Sequence, residues 1–334
     1  MALTARALCS LKVSGILLGA ACLSVLAWPW ADEVGAASLG DVGNRSFPVT
    51  LAVEDPLVID ALTLPSILHI KRPGTDGDPA TRETTITGSL FKRLTPNLGL
   101  GLSGALIHLD PDGQPSLTGF DNLDVELKYQ VVTSERHEAI LALGLDWQVG
   151  GTGRKAIGAQ SFDVVTPAVF IGKGFGNLPE SLDLFRPLAL TGLIGVEIPS
   201  RDRTKEVQPG PVAPQAERHP NVLEWGVVVE YSLPYLQGVV GRAKIPALLD
   251  RMVPVVELAC ETRLDRGGGG RTTGTVNPGI IWEGRFFQVG IEAVVPINNR
   301  TGKTVGIRAQ LDFFLDELFP ESLGRPLFGP SLDD

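Results

Sequence analysis

The stretch at 121–132 reads DNLDVELKYQVV. Leu123, Val125, Leu127, Tyr129 and Val131 occupy one parity, and Asp124, Glu126, Lys128 and Gln130 occupy the other. Successive side chains of a strand point to opposite faces, so this segment has an apolar side and a charged side. A soluble sheet turns the charged side outward to solvent, whereas a membrane barrel turns it inward and presents the apolar side to lipid.

The same period of two recurs along the chain. Leu98, Leu100, Leu102 and Leu106 alternate with small residues, and Ala139, Leu141, Leu143, Leu145, Trp147 and Val149 alternate with partners that include Asp146 and Gln148. Leu223 to Leu233, Phe287 to Val295 and Ile307 to Phe313 repeat the pattern with Glu224, Glu230, Gln288, Glu292, Arg308, Gln310 and Asp312 on the opposite parity. Less regular strands fit 57–70, 84–93, 168–174, 187–198, 253–263 and 273–282. The total is about twelve strands, and helical periodicity is almost absent.

The connections alternate in length. One set is mostly short: LTPN at 94–97, TSER at 133–136, GNLPESLDL at 176–184, the stretch 234–251 and EGR at 283–285. The other set is longer and rich in turn residues, from KRPGTDGDPATRE at 71–83 to SRDRTKEVQPGPVAPQAERHP at 200–220. Short turns on one side, long loops on the other and an even strand count are the pattern of a bacterial outer-membrane barrel. The stretch 234–251 is too long for a tight turn, and an amphipathic helix is expected around 245–249. Pro167 and Pro278 fall in or beside strands, so each is expected at a strand start or a bulge, where a missing ladder donor is tolerated.

The N-terminus supports export. Arg6 and Lys12 precede the apolar run GILLGAACLSVLAW at 15–28, with Ala27, Ala31, Ala36 and Ala37 around and beyond its end. This is a signal-peptide pattern, too short for a comfortable membrane span, with cleavage expected after Ala27 or Ala31. Cys22 raises a lipoprotein reading that Gly19 weakens. The expected layout is a signal at 1–31, a periplasmic segment at 32–53, a barrel at 54–315 and a periplasmic tail at 316–334. Loss of the leader removes Cys9 and Cys22 and leaves Cys260 alone, so no intramolecular disulfide is expected. It also removes two basic residues and no acid, taking the net charge from −9 to about −11. Such a chain is a poor partner for nucleic acid, whose phosphates need a basic face.

On the barrel threading, the inward side collects Asp124, Glu126, Lys128, Glu138, Asp146, Glu197, Glu224, Glu230, Glu257, Glu261, Arg263, Glu292, Arg308 and Asp312. All of these but Glu197 are taken as candidate lumen-lining residues. The aromatics form two rough girdles, Trp147 and Trp225 near the loops and Tyr129, Tyr231, Trp282 and Phe287 near the turns, as interfacial aromatics prefer. A soluble two-sheet sandwich uses the same alternation and stays as the alternative. The conjunction of signal peptide, absent disulfides, about twelve long strands and asymmetric connections favours a transmembrane antiparallel β-barrel.

The runs HEAILALGLDWQVGGTG, LEWGVVVEYSLPYLQ, TTGTVNPGIIWEGRFFQVGIEAVVPIN and AQLDFFLDELFPESLGRPLF carry a resemblance. Over about 53–328 the chain resembles a largely uncharacterised family of Gram-negative exported proteins, similar in turn to the outer-membrane proteins of phenol-degradation (MetA-pathway-like) pathways. Those proteins are associated with aromatic-compound uptake; the resemblance implies an outer-membrane location and a barrel fold more than a substrate, and it brings no active-site motif.

Motifs that suggest chemistry have plain structural readings. GGTGRK at 150–155 misses the phosphate-loop spacing. DPDG at 110–113 fails the calcium-loop pattern and reads as a turn. GGGG at 267–270, between Arg263, Arg266 and Arg271, is a flexible loop that could touch lipopolysaccharide. His69, His108, His137 and His219 are scattered, with no serine and acid beside them to build a nucleophile. Catalysis, a metal and a cofactor are therefore not expected.

The expected partners are outer-membrane lipid, lipopolysaccharide and a small solute. The expected function is a channel or uptake pore, cation-leaning if its acidic lumen is open. The alternatives are a plugged structural or interaction barrel, in which the acids pair internally because about twelve strands leave a narrow passage, and a soluble periplasmic β-sandwich binding protein.

Overall fold

The structure, a computed structural model, describes residues 41–74, 79–206, 215–241, 245–247, 249–266 and 269–329. The expected signal at 1–31 lies outside the described residues.

Twelve strands form the wall. They are β1 (Ala61–Arg72), β2 (Thr81–Thr95), β3 (Leu98–Pro111), β4 (Leu123–Ser134), β5 (Ala139–Val149) and β6 (Val164–Gly174). The second half comprises β7 (Leu188–Pro199), β8 (Val222–Tyr231), β9 (Met252–Arg263), β10 (Arg271–Glu283), β11 (Phe287–Pro296) and β12 (Gly306–Phe314). Each pairs antiparallel with its neighbours, and β12 returns to β1 with Phe314 against Ala61, so the sheet is a closed barrel. Closure leaves every strand paired on both sides, which is what a lipid-exposed sheet requires. Strands of 9 to 15 residues are long enough to cross a bilayer at a tilt.

The two parities separate as the alternation predicts. Leu127, Tyr129, Leu143, Leu145, Trp147, Val227, Val229 and Ile291 are exposed on the outer face, an apolar surface far beyond what a water-facing sheet presents. Cys260 also lies on that parity but is buried, paired with Trp225 across the ladder.

Several sequence expectations are corrected. Pro167 and Pro278 lie inside β6 and β10, not at a strand start or bulge; the β6–β7 ladder lapses beside Pro167 and the β10–β11 ladder lapses beside Pro278. Proline's missing donor is absorbed by a local gap on one side while the other side stays paired. The stretch 234–251 has its helical turns earlier, at Leu233–Tyr235 and Leu236–Val240, where Ser232 caps the backbone N–H of Tyr235 at 3.2 Å. No helix forms among the described residues of 245–249.

The largest correction concerns the N-terminal segment, expected as a periplasmic stretch at 32–53 before a barrel beginning at 54. Residues 41–60 instead thread the barrel interior, and the wall begins at Ala61. A tight hairpin, Asp41–Val42 with Arg45–Ser46, turns at Gly43, whose φ of +68° and approach to the Glu135 carbonyl exclude a side chain. Pro48 and Pro56 then keep the stretch from joining the ladder. Its apolar side chains complete two clusters with the wall. Leu51 and Val53 pack with Phe170, Leu193, Val228, Val253, Val255 and Ile281; Val42, Phe47, Leu57 and Ile59 pack with Ala61, Ile140 and Ala189. The middle of this lumen is a packed protein interior.

Inward glycines provide the room. A side chain at Gly290 would strike Leu51, one at Gly226 would strike Val53, one at Gly172 would press on Phe47 and Pro56, and one at Gly174 would strike Arg45. The inner wall is therefore cut to the shape of the segment it encloses.

Candidate functional site: a plugged lumen with an acidic vestibule

The lumen has three levels. At the short-turn end, Arg45 is almost wholly buried. Its Nε donates to Glu138 Oε2 at 2.9 Å, its Nη1 donates to the Pro187 carbonyl at 3.0 Å, and its Nη2 donates to the Arg186 carbonyl. The guanidinium stacks 4.3 Å from the Tyr235 ring centroid, and the Tyr235 hydroxyl donates to the other Glu138 oxygen at 2.9 Å. The Gly176 amide adds a further bond to Glu138 at 2.9 Å. Tyr235, at the start of the 234–251 connection, thus closes over Arg45 and Glu138 at the turn end. Glu138, expected on a strand, caps a tight turn at a positive φ of 45° just before β5.

At mid-height the wall grips the plug backbone. Glu257 accepts the N–H groups of Leu51, Ala52 and Val53 at 2.8, 2.8 and 2.7 Å. Three convergent amides around one carboxylate form an anion nest, which offsets the cost of burying the charge. Arg308 Nη1 donates to the Leu51 carbonyl at 2.6 Å, Gln310 donates to the Thr50 carbonyl at 3.3 Å, and Gln288 bonds both the amide and the carbonyl of Val49. Asp312 ties Thr63, Gln288 and Gln310 together below. Glu230 accepts from Thr191 at 3.0 Å and is buried.

At the long-loop end the interior opens into a cavity of about 380 Å³. Six carboxylates line it: Glu54 from the plug and Asp124, Glu126, Asp146, Glu197 and Glu224 from the wall. Phe170, Leu193, Ala168 and Val164 give it an apolar side. Among the described residues no basic side chain lines it. Lys128 lies at its base, with Nζ 2.6 Å from Glu54, 3.1 Å from Glu126, 3.0 Å from the Asp55 carbonyl and 4.5 Å from the Phe170 ring. Glu261 and Arg263 are exposed at the loop end of β9.

The thirteen candidate residues therefore divide by level. Asp124, Glu126, Asp146 and Glu224 meet in the vestibule with Lys128 beneath; Glu257, Glu292, Arg308 and Asp312 stand at the plug; Glu138 and Glu230 are buried toward the turn end. Sequence reasoning missed the plug's own contribution, Arg45 and Glu54. It also missed Asp60, buried between Lys92 and Arg93 at 2.7 and 2.9 Å, where Arg93 in turn holds the Gly324 carbonyl of the C-terminal tail. The signal was an arginine and three acids inside the apolar stretch 42–60, which lacks any period of two.

The remaining motifs have structural duties. The backbone amides of Gly150, Gly151, Gly153 and Arg154 are all bonded within the protein, so GGTGRK does not present the row of free amides that cradles a phosphate. Asp110 and Asp112 pair with Arg82 and Lys71. His69 and His108 bond threonines, and His219 packs on Phe162. Gly267 and Gly268 lie outside the described residues.

No protein-family model and no curated protein sequence matches the chain. Solved structures with a similar fold are outer-membrane barrels. The COG4313 outer membrane channel from Pseudomonas putida F1 superposes with a TM-score of 0.51 at 11% identity, covering 80% of this chain and 99% of that one. The β domain of the Bordetella autotransporter BrkA gives 0.46 at 10% identity, covering 77% and 99%. The KdgM porin gives 0.40 at 10% identity, covering 75% and 98%. The fold is that of an outer-membrane β-barrel.

Proposed function

We propose that this protein is an outer-membrane channel for small solutes, with a cation-favouring vestibule at its extracellular end and its own N-terminal segment closing the lumen below. The observation that carries the reading is the joint arrangement of a lipid-suited barrel and a carboxylate-lined cavity open toward the long loops. Six carboxylates against one lysine raise the local concentration of cations and repel anions. The apolar side of the vestibule suits a solute that carries both charge and hydrocarbon. The resemblance to proteins of phenol-degradation pathways adds aromatic compounds to the candidate solutes. Long loops outward and short turns toward the periplasm set the orientation.

The packed plug favours a barrel that is closed at rest. The second reading, a plugged structural barrel of the envelope, rests on the same packing. Planar-bilayer recording of the purified full-length protein separates the two. Discrete openings with a cation-sided reversal potential in a salt gradient support the channel; silence under all salts and voltages overturns it.

A further inference from the structure

Two wall residues at the plug level are buried without hydrogen bonds. Asn277 is fully buried, and neither its amide nitrogen nor its oxygen has a partner. Glu292 is buried, and neither carboxylate oxygen has a hydrogen-bond partner, although Arg308 Nη1 is already ion-paired with it at 3.4 Å. Native proteins rarely leave such groups unmated, and each demands a physical account. Their positions supply one. In the β9–β10 ladder Asn277 is directly opposite Glu257, and in the β11–β12 ladder Glu292 is directly opposite Arg308. Glu257 and Arg308 both hold the plug backbone, through the amides of 51–53 and the carbonyl of Leu51.

We infer that these four residues form an exchange latch: with the plug seated, Glu257 and Arg308 hydrogen-bond its backbone, and when it withdraws Glu257 turns to the waiting Asn277 while Arg308 draws its ion pair with Glu292 into hydrogen bonds. Each exchange needs only side-chain rotation, because partners opposite on a ladder have Cβ atoms about 5 Å apart. The wall therefore contains two alternative sets of bonds, one for each state of the plug. The charges at the plug level keep a partner when the plug leaves, so withdrawal does not strand them in the lumen. A two-state element of this kind is what gating requires, since a packed interior switches between discrete arrangements.

The test reads plug position directly. A single cysteine replaces Val53 in a C260S background, and a maleimide probe is added to the full-length barrel in lipid vesicles. Val53 is 2% exposed, so labelling requires the plug to leave. Glu292→Gln removes the charge that receives Arg308 and should slow labelling about tenfold, the scale of one charge-assisted hydrogen bond. Glu257→Gln weakens the seated state and should speed it. The slowing by Glu292→Gln should vanish in an Arg308→Gln background, because the exchange then has no donor. Unchanged labelling in Glu292→Gln overturns the latch, as does slowing that persists without Arg308, which would trace to the burial of Glu292 alone. Absence of labelling in every variant also overturns it. Heat-modifiable gel mobility confirms that each variant folds; if Glu292→Gln does not, Asn277→Leu interrogates the other exchange and should likewise slow labelling. No current is measured, so a barrel that conducts nothing would sink the channel reading and leave this result standing.

Discussion

Arg45 and Glu138, 93 residues apart in the chain, meet at 2.9 Å with side-chain exposures of 1% and 7%, and this pair fixes the start of the plug to the turn that opens β5. A pair so buried draws little protection from solvent, and its remaining donors and acceptors are met by the Pro187 carbonyl, the Gly176 amide and the Tyr235 hydroxyl. Removing one partner leaves an uncompensated charge, at a typical cost of about 3–5 kcal/mol. Arg45→Met should therefore expose residues 41–60 to protease in the folded barrel. The paired change Arg45→Met with Glu138→Leu should recover much of the loss, and N-terminal cleavage rates measured side by side check both outcomes.

The inward glycines make a separate prediction. Gly290→Val places its side chain on Leu51, whose nearest atom lies 2.6 Å from the new Cβ position. Overpacking of this kind costs about 1–3 kcal/mol, and here the element free to move is the plug rather than the closed wall. The strands should keep their circular dichroism while the plug becomes labile to protease. Gly238→Ala, which meets nothing within 4 Å, serves as the matched control and should behave as the parent.

Vestibule charge should set ion preference. Neutralising Asp146, Glu197 and Glu224 together as amides leaves Glu54, Asp124 and Glu126 near Lys128 and roughly halves the carboxylate ring. Reversal potentials in a salt gradient should move toward zero, with a smaller change at high ionic strength because salt screens exposed charge within a few ångströms. Identical reversal potentials in parent and triple variant would place the conduction path elsewhere.

The C-terminal tail carries a pH dependence. Burial pushes the Asp316 carboxyl up to about 6, against the opposing pull of the Arg93 charge and the Glu317 amide. Its value in the folded chain is raised above that of the unfolded chain, so the tail gains from a neutral Asp316. That gain is full at low pH and is lost as pH rises through about 6. Residues beyond Phe314 should resist protease better at pH 5 than at pH 7.5. Asp316→Asn should flatten the difference and protect the tail at neutral pH.

The barrel was legible because a strand's side-chain period is local. The parity of 121–132, repeated through twelve segments and joined by alternately short and long connections, needs no partner to be read. The pattern even separated residues that share the interior, such as Asp124 and Glu126, from Leu127 and Tyr129 outside. Two proline positions and the helix in 234–251 went astray because a ladder gap and a Ser232 cap depend on neighbours.

What lies inside the barrel was decided by tertiary structure alone. Residues 41–60 have no period, and nothing local says that Leu51 will meet Gly290 or that Glu257 will collect the amides of 51–53. Those contacts span more than 200 residues and exist only once closure has brought the strands around the segment. The sequence by itself determined a wall with one oily and one charged face, because alternation is written residue by residue. Closure then divided the charged face into a wet vestibule and a dry, plugged middle, because a narrow twelve-stranded interior is filled by whatever chain complements its glycines and charges.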